Sequence, residues 1–231
     1  MCGRFTLRTP ADELARLFTD LRCPDLLRPD LGLFRPRFNI APTQNVWVIR
    51  SATHDCGCEC VTLRWGLVPS WSKSLTGPPL INARSETVAE KPSFRTAFRR
   101  RRCLIPADGF YEWQALTPKK KQPQYITLRS GQPFAFAGLW ESWQLPGGSR
   151  VESCTILTTA ANALMQQFHD RMPVILSPDE FAPWLDPKLI DPAALFPLLD
   201  QYPADEMTAF PVSTRVNSVK NDSPELVVPS E

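Results

Sequence analysis

VWVI at residues 46–49 and CVTLRWGL at residues 60–67 begin the β-core of this chain. Both segments are rich in β-branched and aromatic residues, which favour extended backbone. The stretch between them, residues 51–59, has the polar composition of a connecting turn. We therefore predict that the two segments pair as a β-hairpin.

Further strands and short helices are predicted on either side of this hairpin. We expect strands at residues 105–113, 124–128, 134–140 and 154–158, short helices at residues 10–18, 160–168, 178–184 and 193–199, and a Pro- and Leu-rich loop at residues 23–36. Thr9 is the expected N-cap of the first helix. The 24 prolines are about twice the usual share of roughly 5%, which argues against long helices. No repeat or long linker is present, so we expect a single domain over residues 1–231.

The composition indicates a globular protein with a substantial core. The chain has 231 residues, of which 43% are hydrophobic. It has no run of about 18 apolar residues, as a membrane span would need, and its first residues lack the apolar stretch of a signal peptide. We therefore expect a cytoplasmic, intracellular protein, not bound to a membrane, whose 7 cysteines are reduced.

The net charge of +2 hides an uneven distribution along the chain. Residues 91–103 carry six positive charges and no acid, whereas residues 179–206 carry seven acids against the single Lys188. A basic face of this kind suits a polyanionic partner, although a surface run of arginines can also be solvated and without a partner.

A cysteine-rich stretch, HDCGCEC at residues 54–60, raises the question of a metal site. Its spacing differs from the usual zinc pattern, in which one Cys-x-x-Cys pair is completed by a second pair or by two histidines. No second half is present elsewhere in the sequence. We therefore interpret this stretch as a hairpin loop and expect no metal.

The second residue offers a chemistry of its own. If the initiator Met1 is removed, Cys2 becomes the N-terminus and carries an amine and a thiol on adjacent carbons. The amine, with a reference pKa of about 7.7–8.0, can form an imine with an aldehyde, and the thiol can then close a five-membered thiazolidine. Only an N-terminal cysteine can close that ring. The alternative is that Cys2 is simply a small buried hydrophobe.

Two tryptophans and an Asn-x-Arg pair are candidates for contacts with a nucleic acid. Trp65 and Trp71 flank a bend rich in Gly and Pro, where exposed rings could stack on unpaired bases. Asn82 and Arg84 stand two residues apart, so in an extended segment both side chains would face the same side and could hold a phosphate or sugar oxygen. The alternatives are a core pair of tryptophans and a structural asparagine in a turn.

Two titratable residues are candidates for proton transfer. Glu112 lies between Tyr111 and Trp113 in a predicted strand, so we expect its carboxylate to be partly desolvated, as in a general acid or base. His169 follows a predicted helix and stands beside a carboxylate and a guanidinium. It is a better candidate than His54, which lies in the polar cysteine loop. Each of these residues could instead be structural.

Six motifs occur along the chain: MCGRF at residues 1–5, FNIAPT at 38–43, RWGLVP at 64–69, INARSE at 81–86, RCLIPADGFYEW at 102–113 and HDRMP at 169–173. In this order they resemble the SOS-response-associated peptidase (SRAP) family, the abasic-site processing proteins. The resemblance covers residues 2–174 and extends to about residue 215. Members of that family shield abasic sites in single-stranded DNA through a thiazolidine between the N-terminal cysteine and the ring-opened sugar. This is the aldehyde chemistry that the N-terminal aminothiol suggests.

The resemblance implies a catalytic role for four residues. Cys2 would be the nucleophile that supplies both the thiol and the amine, and Asn82 would position the sugar or the N-terminus. Glu112 would move protons during ring opening and imine formation, whereas His169 would assist ring opening and reversal. The resemblance implies no metal and no organic cofactor.

It also implies DNA contacts. Arginines would hold phosphates on either side of the lesion, and an aromatic ring with a proline loop would wedge or stack against the displaced bases. These residues are Arg4, Arg84, Arg171, Trp65, Trp71 and Pro42.

We therefore expect an α+β fold, with a mostly antiparallel, barrel-like β-sheet core and a few short peripheral helices. The expected partner is single-stranded DNA that contains abasic sites, bound by a monomer in the DNA damage response, with no obligate protein partner. One alternative is a peptidase or amidohydrolase with Cys2 as N-terminal nucleophile, whose activity could be limited to autocatalytic removal of Met1. A lyase activity is a further possibility within the family. The non-enzymatic alternative is a single-stranded nucleic-acid binding module in which Cys2 is inert.

Overall fold

The computed structural model describes residues 2–21, 23, 35–52, 57–75, 77–145 and 147–230. Its strands are β1 (Phe5–Leu7), β2 (Arg37–Ile40), β3 (Asn45–Ser51), β4 (Cys58–Trp65), β5 (Asn82–Arg84), β6 (Arg102–Ala107), β7 (Gly109–Thr117), β8 (Lys120–Leu128), β9 (Phe134–Gln144), β10 (Arg150–Ala160), β11 (Arg171–Pro173), β12 (Ile175–Leu176) and β13 (Met207–Pro211). Its α-helices are α1 (Ala11–Leu17), α2 (Arg95–Arg100), α3 (Pro178–Leu185) and α4 (Pro192–Leu195). The combination of many strands with short helices is the expected α+β class.

Five strands close into a barrel. Around the ring, β4 pairs with β3, β3 with β6, β6 with β9 and β9 with β10, all antiparallel. The ring is closed by β10 and β4, which are parallel. A closed ring with an odd number of strands cannot alternate direction throughout, so one parallel pair is required. The barrel-like core expected from the sequence is confirmed.

A second, five-stranded antiparallel sheet has the order β13-β8-β7-β1-β2. β1 lies inside this sheet, where Phe5 pairs with Ile40 of β2 and with Phe110 of β7. Strand β1 is therefore held between β2 and β7. Cys2 lies three residues before Phe5, the residue that makes both pairs.

Two hydrophobic cores stabilise the fold. In the larger core, the ring of Phe5 makes edge-on contacts with Trp65 at 5.2 Å and with Phe136 at 5.7 Å between centroids. The smaller core contains Tyr111 and Tyr125, whose ring centroids are 5.1 Å apart. β7 contributes to both cores, because alternate side chains of a strand point to opposite faces.

The predicted hairpin is confirmed, with Val46 opposite Leu63 in β3 and β4. The predicted single strand at residues 105–113 is instead two strands in different sheets, β6 and β7, which are separated by Asp108. The buried Asp108 carboxylate accepts hydrogen bonds from the backbone N–H groups of Arg8 and Thr9, at 2.6 and 2.9 Å. The side chain that separates the strands thus also fixes the segment after β1.

Two helix predictions need correction. Residues 160–168 contain only a 3₁₀ turn at Met165–Gln167, because the Asn162 side chain accepts the N–H of Met165 at 2.9 Å and closes a tight turn. Thr9 is not the N-cap of α1, which is Pro10. The Thr9 hydroxyl donates to Asp108 at 3.1 Å instead.

The other two helices follow the sequence more closely. The prediction at residues 178–184 is confirmed by α3, which begins with a capping box between Ser177 and Glu180. At residues 193–199 the chain forms α4 and then a 3₁₀ turn at Phe196–Leu199.

Most of the predicted loop at residues 23–36 and half of the cysteine-rich stretch at residues 54–60 lie outside the described residues. Cys58 and Cys60 belong to β4 and are not a loop. In the part of the chain that the structure describes, no cluster of three or more His, Cys, Asp or Glu side chains could hold a metal ion. Within that same part, no helix is long and apolar enough to cross a membrane.

Candidate active site

Cys2 lies in the interior of the protein next to the second sheet. Its side chain is fully buried, and Sγ contacts the carbonyl oxygen of Arg4 at 3.8 Å. Burial raises the pKa of the Cys2 thiol, and the charge of Glu112 raises it further. The thiol is therefore protonated at neutral pH, and a reaction at sulfur needs a base to take its proton.

Glu112 on β7 is in a position to interact with that thiol. Its side chain is only 4% exposed, which confirms the expected desolvation. We expected Tyr111 and Trp113 to surround Glu112, but both point to the smaller core. Glu112 instead shares a face of β7 with Phe110, which belongs to the larger core. A buried carboxylate whose charge acts on a protonated thiol is a candidate for proton transfer.

Asn82 holds the N-terminal segment in place. It is the first residue of β5, and its Nδ2 donates a hydrogen bond to the Cys2 carbonyl at 2.9 Å. Among the described residues, no group hydrogen-bonds to its buried Oδ1. Asn82 thus fixes Cys2 with one end of its amide, while the acceptor at the other end has no hydrogen-bond partner in the described part of the chain.

β10 brings the INARSE and HDRMP motifs together. Thr158 of β10 lies opposite Arg84 of β5 and, on its other side, opposite Pro173 of β11. The Arg171 Nη2 donates to the Thr158 carbonyl at 2.5 Å. The same guanidinium forms a two-pronged ion pair with Glu86, in which Nη2 and Oε2 are 2.9 Å apart. Arg84 is exposed, so its side chain is accessible to a ligand.

His169 makes two contacts through one ring nitrogen. Its Nδ1 accepts the backbone N–H of Arg171 at 2.9 Å and lies 2.7 Å from Asp170 Oδ1. An unprotonated Nδ1 accepts from Arg171, whereas only a protonated Nδ1 can donate to Asp170, so the two contacts belong to different protonation states. Nδ1 therefore has a hydrogen-bond partner whether or not it carries a hydrogen.

Trp65 is not a platform for bases. Its ring is fully buried, and its Nε1 donates to the carbonyl of Ile81 at 2.9 Å. The prediction that Trp65 stacks on DNA is therefore wrong. The residue stands at the end of β4, inside the closed barrel, where a large ring fills the core against Phe5.

Trp71, in contrast, is 64% exposed, as expected for the bend. Its ring borders an open cavity of about 440 Å³, whose walls include Arg64, Leu75 and Pro79. A flat apolar ring beside a guanidinium is suited to contact with an unpaired base.

The loop at Pro42 is tied to Trp65 through the backbone. Thr43 donates to the Trp65 carbonyl at 2.7 Å, and Trp65 donates to the Gln44 carbonyl at 2.8 Å. Thr43 has φ +71°, a conformation that strains a β-branched residue. These bonds hold the half-buried Pro42 and the exposed Thr43 in a rigid turn.

Arg4 connects the two ends of the chain. Its Nη1 donates at 2.8 Å both to Asn39 Oδ1 and to the carbonyl of Val216, and its Nη2 donates to the carbonyl of Asn217 at 3.2 Å. Partial burial lowers the pKa of Arg4. The predicted phosphate contact of Arg4 stays a prediction, and the structure adds a role in anchoring the segment that carries Cys2.

The arginine run at residues 99–102 is only partly a basic surface. Arg102 is buried and donates to the backbone carbonyls of four residues, and Arg101 forms an ion pair with Glu141 at 2.7 Å. Neither is available to a polyanion. An open cavity of about 470 Å³ is lined by the exposed arginines Arg95, Arg99 and Arg100.

Sequence reasoning missed two residues of this site. Glu86 follows Arg84 by two positions in the INARSE motif, and this spacing was the available signal. The chain bends into a 3₁₀ turn at Ser85–Thr87. The alternation of side chains along a strand therefore does not predict the direction of the Glu86 side chain. Thr158 gives no signal, because it is one of three threonines in a largely buried strand.

Comparison with known proteins shows the same relationship along the whole chain. A sequence model of the family described as SOS response associated peptidase (SRAP) matches residues 1–219. The chain is 48% identical over 229 residues to abasic site processing protein YoqW of Bacillus subtilis, covering 98% of this chain and 99% of that protein. It is 31% identical over 274 residues to abasic site processing protein HMCES of Rattus norvegicus, covering 100% of this chain and 76% of that protein. A crystal structure of a protein from Bacteroides thetaiotaomicron superimposes with a TM-score of 0.85 at 26% identity, covering 100% of both chains.

Proposed function

Because this chain belongs to the SOS response associated peptidase family, we propose that it processes abasic sites in single-stranded DNA by capturing them covalently on Cys2. The observation that carries the proposal is the setting of Cys2, whose thiol is buried with a pKa raised further by the Glu112 charge and whose carbonyl accepts from Asn82 at 2.9 Å. The relatives named as abasic site processing proteins support the substrate.

The proposed chemistry starts after removal of Met1 and balances without a cofactor. The Cys2 amine attacks the aldehyde of the ring-opened sugar, and loss of one water gives an imine. The sulfur then adds to the imine carbon while its proton passes to the imine nitrogen, which closes the thiazolidine. The amine attacks first, because the raised pKa of the Cys2 thiol leaves little thiolate at neutral pH.

Three residues assist these steps. Asn82 holds the Cys2 carbonyl, so the new amine and the thiol are fixed relative to the sugar. Glu112 takes the thiol proton and delivers it to nitrogen. His169 moves a proton at the sugar during ring opening and during reversal of the crosslink. A lyase step that cleaves the strand at the lesion is compatible with the same groups, as is autocatalytic removal of Met1.

We place this activity in the cytoplasm, on the DNA, with a monomer as the active unit. Phosphates of the bound strand contact Arg84 and Arg171, and bases beside the lesion contact Trp71 and the Pro42 turn. The exposure of Arg84 and Trp71 supports these contacts.

The test is incubation with a single-stranded oligonucleotide that carries one abasic site, followed by a denaturing gel. We expect a shifted band that withstands heating, and none with the undamaged oligonucleotide. Cleavage of peptides without such a band would instead support a hydrolase. Only a salt-sensitive complex on a native gel would support a binding module with an inert Cys2.

A further inference from the structure

The ion pair between Glu86 and Arg171 has no part in the chemistry described above. The carboxylate of Glu86 accepts from both terminal nitrogens of the guanidinium. The same Nη2 also donates to the carbonyl of Thr158. This two-pronged arrangement is the one in which arginine binds a phosphate.

The two side chains are unequally exposed. The Arg171 side chain is 11% exposed, whereas that of Glu86 is 50% exposed. Glu86 therefore covers the guanidinium on its solvent side. Hydrogen bonding from Arg171 also lowers the pKa of Glu86, so the carboxylate is ionised at neutral pH. A phosphate that approaches Arg171 meets a negative charge before it reaches the arginine.

We propose that Glu86 competes with DNA by occupying the phosphate-binding face of Arg171 until a DNA phosphate displaces it. The inference rests on the proposed function, since it requires that Arg171 contacts the backbone of the bound strand. Displacement of Glu86 breaks an ion pair before the phosphate contact forms. This weakens reversible binding to any strand, damaged or not. The protein therefore spends less time on intact DNA.

The test compares Glu86→Gln with the wild type in reversible binding to fluorescein-labelled oligothymidylate, measured by anisotropy over a range of salt concentrations. Glutamine keeps the size of the side chain but removes the competing charge. We expect Glu86→Gln to bind about fivefold tighter, the value of an ion pair of about 1 kcal/mol. The slope of log K against log salt should stay that of the wild type, because Arg171 neutralises the same phosphate in both complexes.

Two controls separate this effect from a general change in charge. Glu225→Gln removes the same charge from a different ion pair, the one between Glu225 and Arg215. The side chains of that pair are 66% and 59% exposed, respectively. We expect it to leave affinity and slope unchanged. Adding Glu86→Gln to an Arg171→Gln variant should likewise give no gain.

Three results would overturn the inference: affinity that is unchanged or lower in Glu86→Gln, an equal gain in Glu225→Gln, or a gain that persists without Arg171. A lower affinity would show that Glu86 only orients Arg171. In each case the wild-type crosslink to an abasic oligonucleotide is measured in parallel. If the crosslink forms, only this inference fails, whereas its absence removes the proposed function itself.

Discussion

At the scale of single residues, Glu112 is the group whose loss should be most informative. The Cys2 thiol has a raised pKa from burial and from the Glu112 charge, so ring closure needs a base. We expect Glu112→Gln to slow capture by about 10²–10⁴-fold, the usual contribution of a positioned acid or base. Single-turnover capture rates across the neutral pH range measure this. If Glu112→Gln captured the abasic site with the wild-type rate and pH profile, the role of Glu112 would be structural only.

Asn82 should act through position and not through proton transfer. Asn82→Ala removes the hydrogen bond to the Cys2 carbonyl, and we expect capture to slow by about fivefold, which corresponds to about 1 kcal/mol. Asn82→Asp should be slower still, because a carboxylate cannot donate to that carbonyl and repels it. Both variants should remain folded, with melting temperatures a few degrees below that of the wild type. Capture at the wild-type rate by Asn82→Asp would contradict the positioning role.

The histidine should affect both directions of the reaction. His169→Ala removes a ring that has a partner in either protonation state, so we expect slower capture and slower release of the crosslink. The reverse reaction is followed by transfer of the crosslinked strand to an excess of a competing aminothiol. A change in capture alone would confine His169 to the forward steps.

Sequence alone could single out candidate site residues, but it predicted their surroundings less well. The burial of Glu112 was correctly expected, but from its neighbours along the chain, which in a strand face the opposite side. Trp65 and Arg102 were expected at the surface from composition. Trp65 is buried against Phe5, and Arg102 is covered by α2 and α3, whose backbone carbonyls it binds, so both burials depend on contacts with distant segments of the chain.

At the scale of elements, the bend after β4 depends on Gly66. This residue has φ +125°, and a Cβ atom there would lie 2.7 Å from the Cβ of Pro79. We therefore expect Gly66→Ala to lower the free energy of unfolding by about 2–4 kcal/mol, from backbone strain and overpacking together. Gly77→Ala, where a Cβ meets nothing within 4 Å, is the matched control in urea unfolding. Equal stabilities of the two variants would contradict the account of this bend.

A local pattern predicted one of these elements correctly, whereas a boundary that depends on a distant contact was missed. The hairpin of β3 and β4 follows from two adjacent apolar segments. The break between β6 and β7 depends on Asp108, whose carboxylate binds backbone from the first residues of the chain. The sequence around Asp108 therefore gives no sign of its hydrogen-bond partners Arg8 and Thr9.

At the scale of the whole molecule, the basic surface should be smaller than the count of arginines implies. Arg84 is exposed, so Arg84→Gln should lower the salt slope for single-stranded DNA by about 0.7. Burial lowers the pKa of Arg102 to about 10. Because Arg102 binds four backbone carbonyls, Arg102→Gln should instead cost about 3 kcal/mol of stability with an unchanged slope. Both variants are compared by DNA binding in a salt series and by urea unfolding. A lower slope in Arg102→Gln together with a loss of stability in Arg84→Gln would contradict this expectation.

The central claim, that the N-terminal Cys2 joins the abasic sugar through both its nitrogen and its sulfur, is tested most directly by mass spectrometry of the purified crosslink. After digestion with nuclease and trypsin, we expect the peptide 2–4, without Met1, to carry a sugar-phosphate remnant with the loss of one water. Its sulfur should be protected from iodoacetamide, which separates the thiazolidine from an open imine of the same mass. An unmodified peptide 2–4, or a remnant on any other residue, would contradict the account.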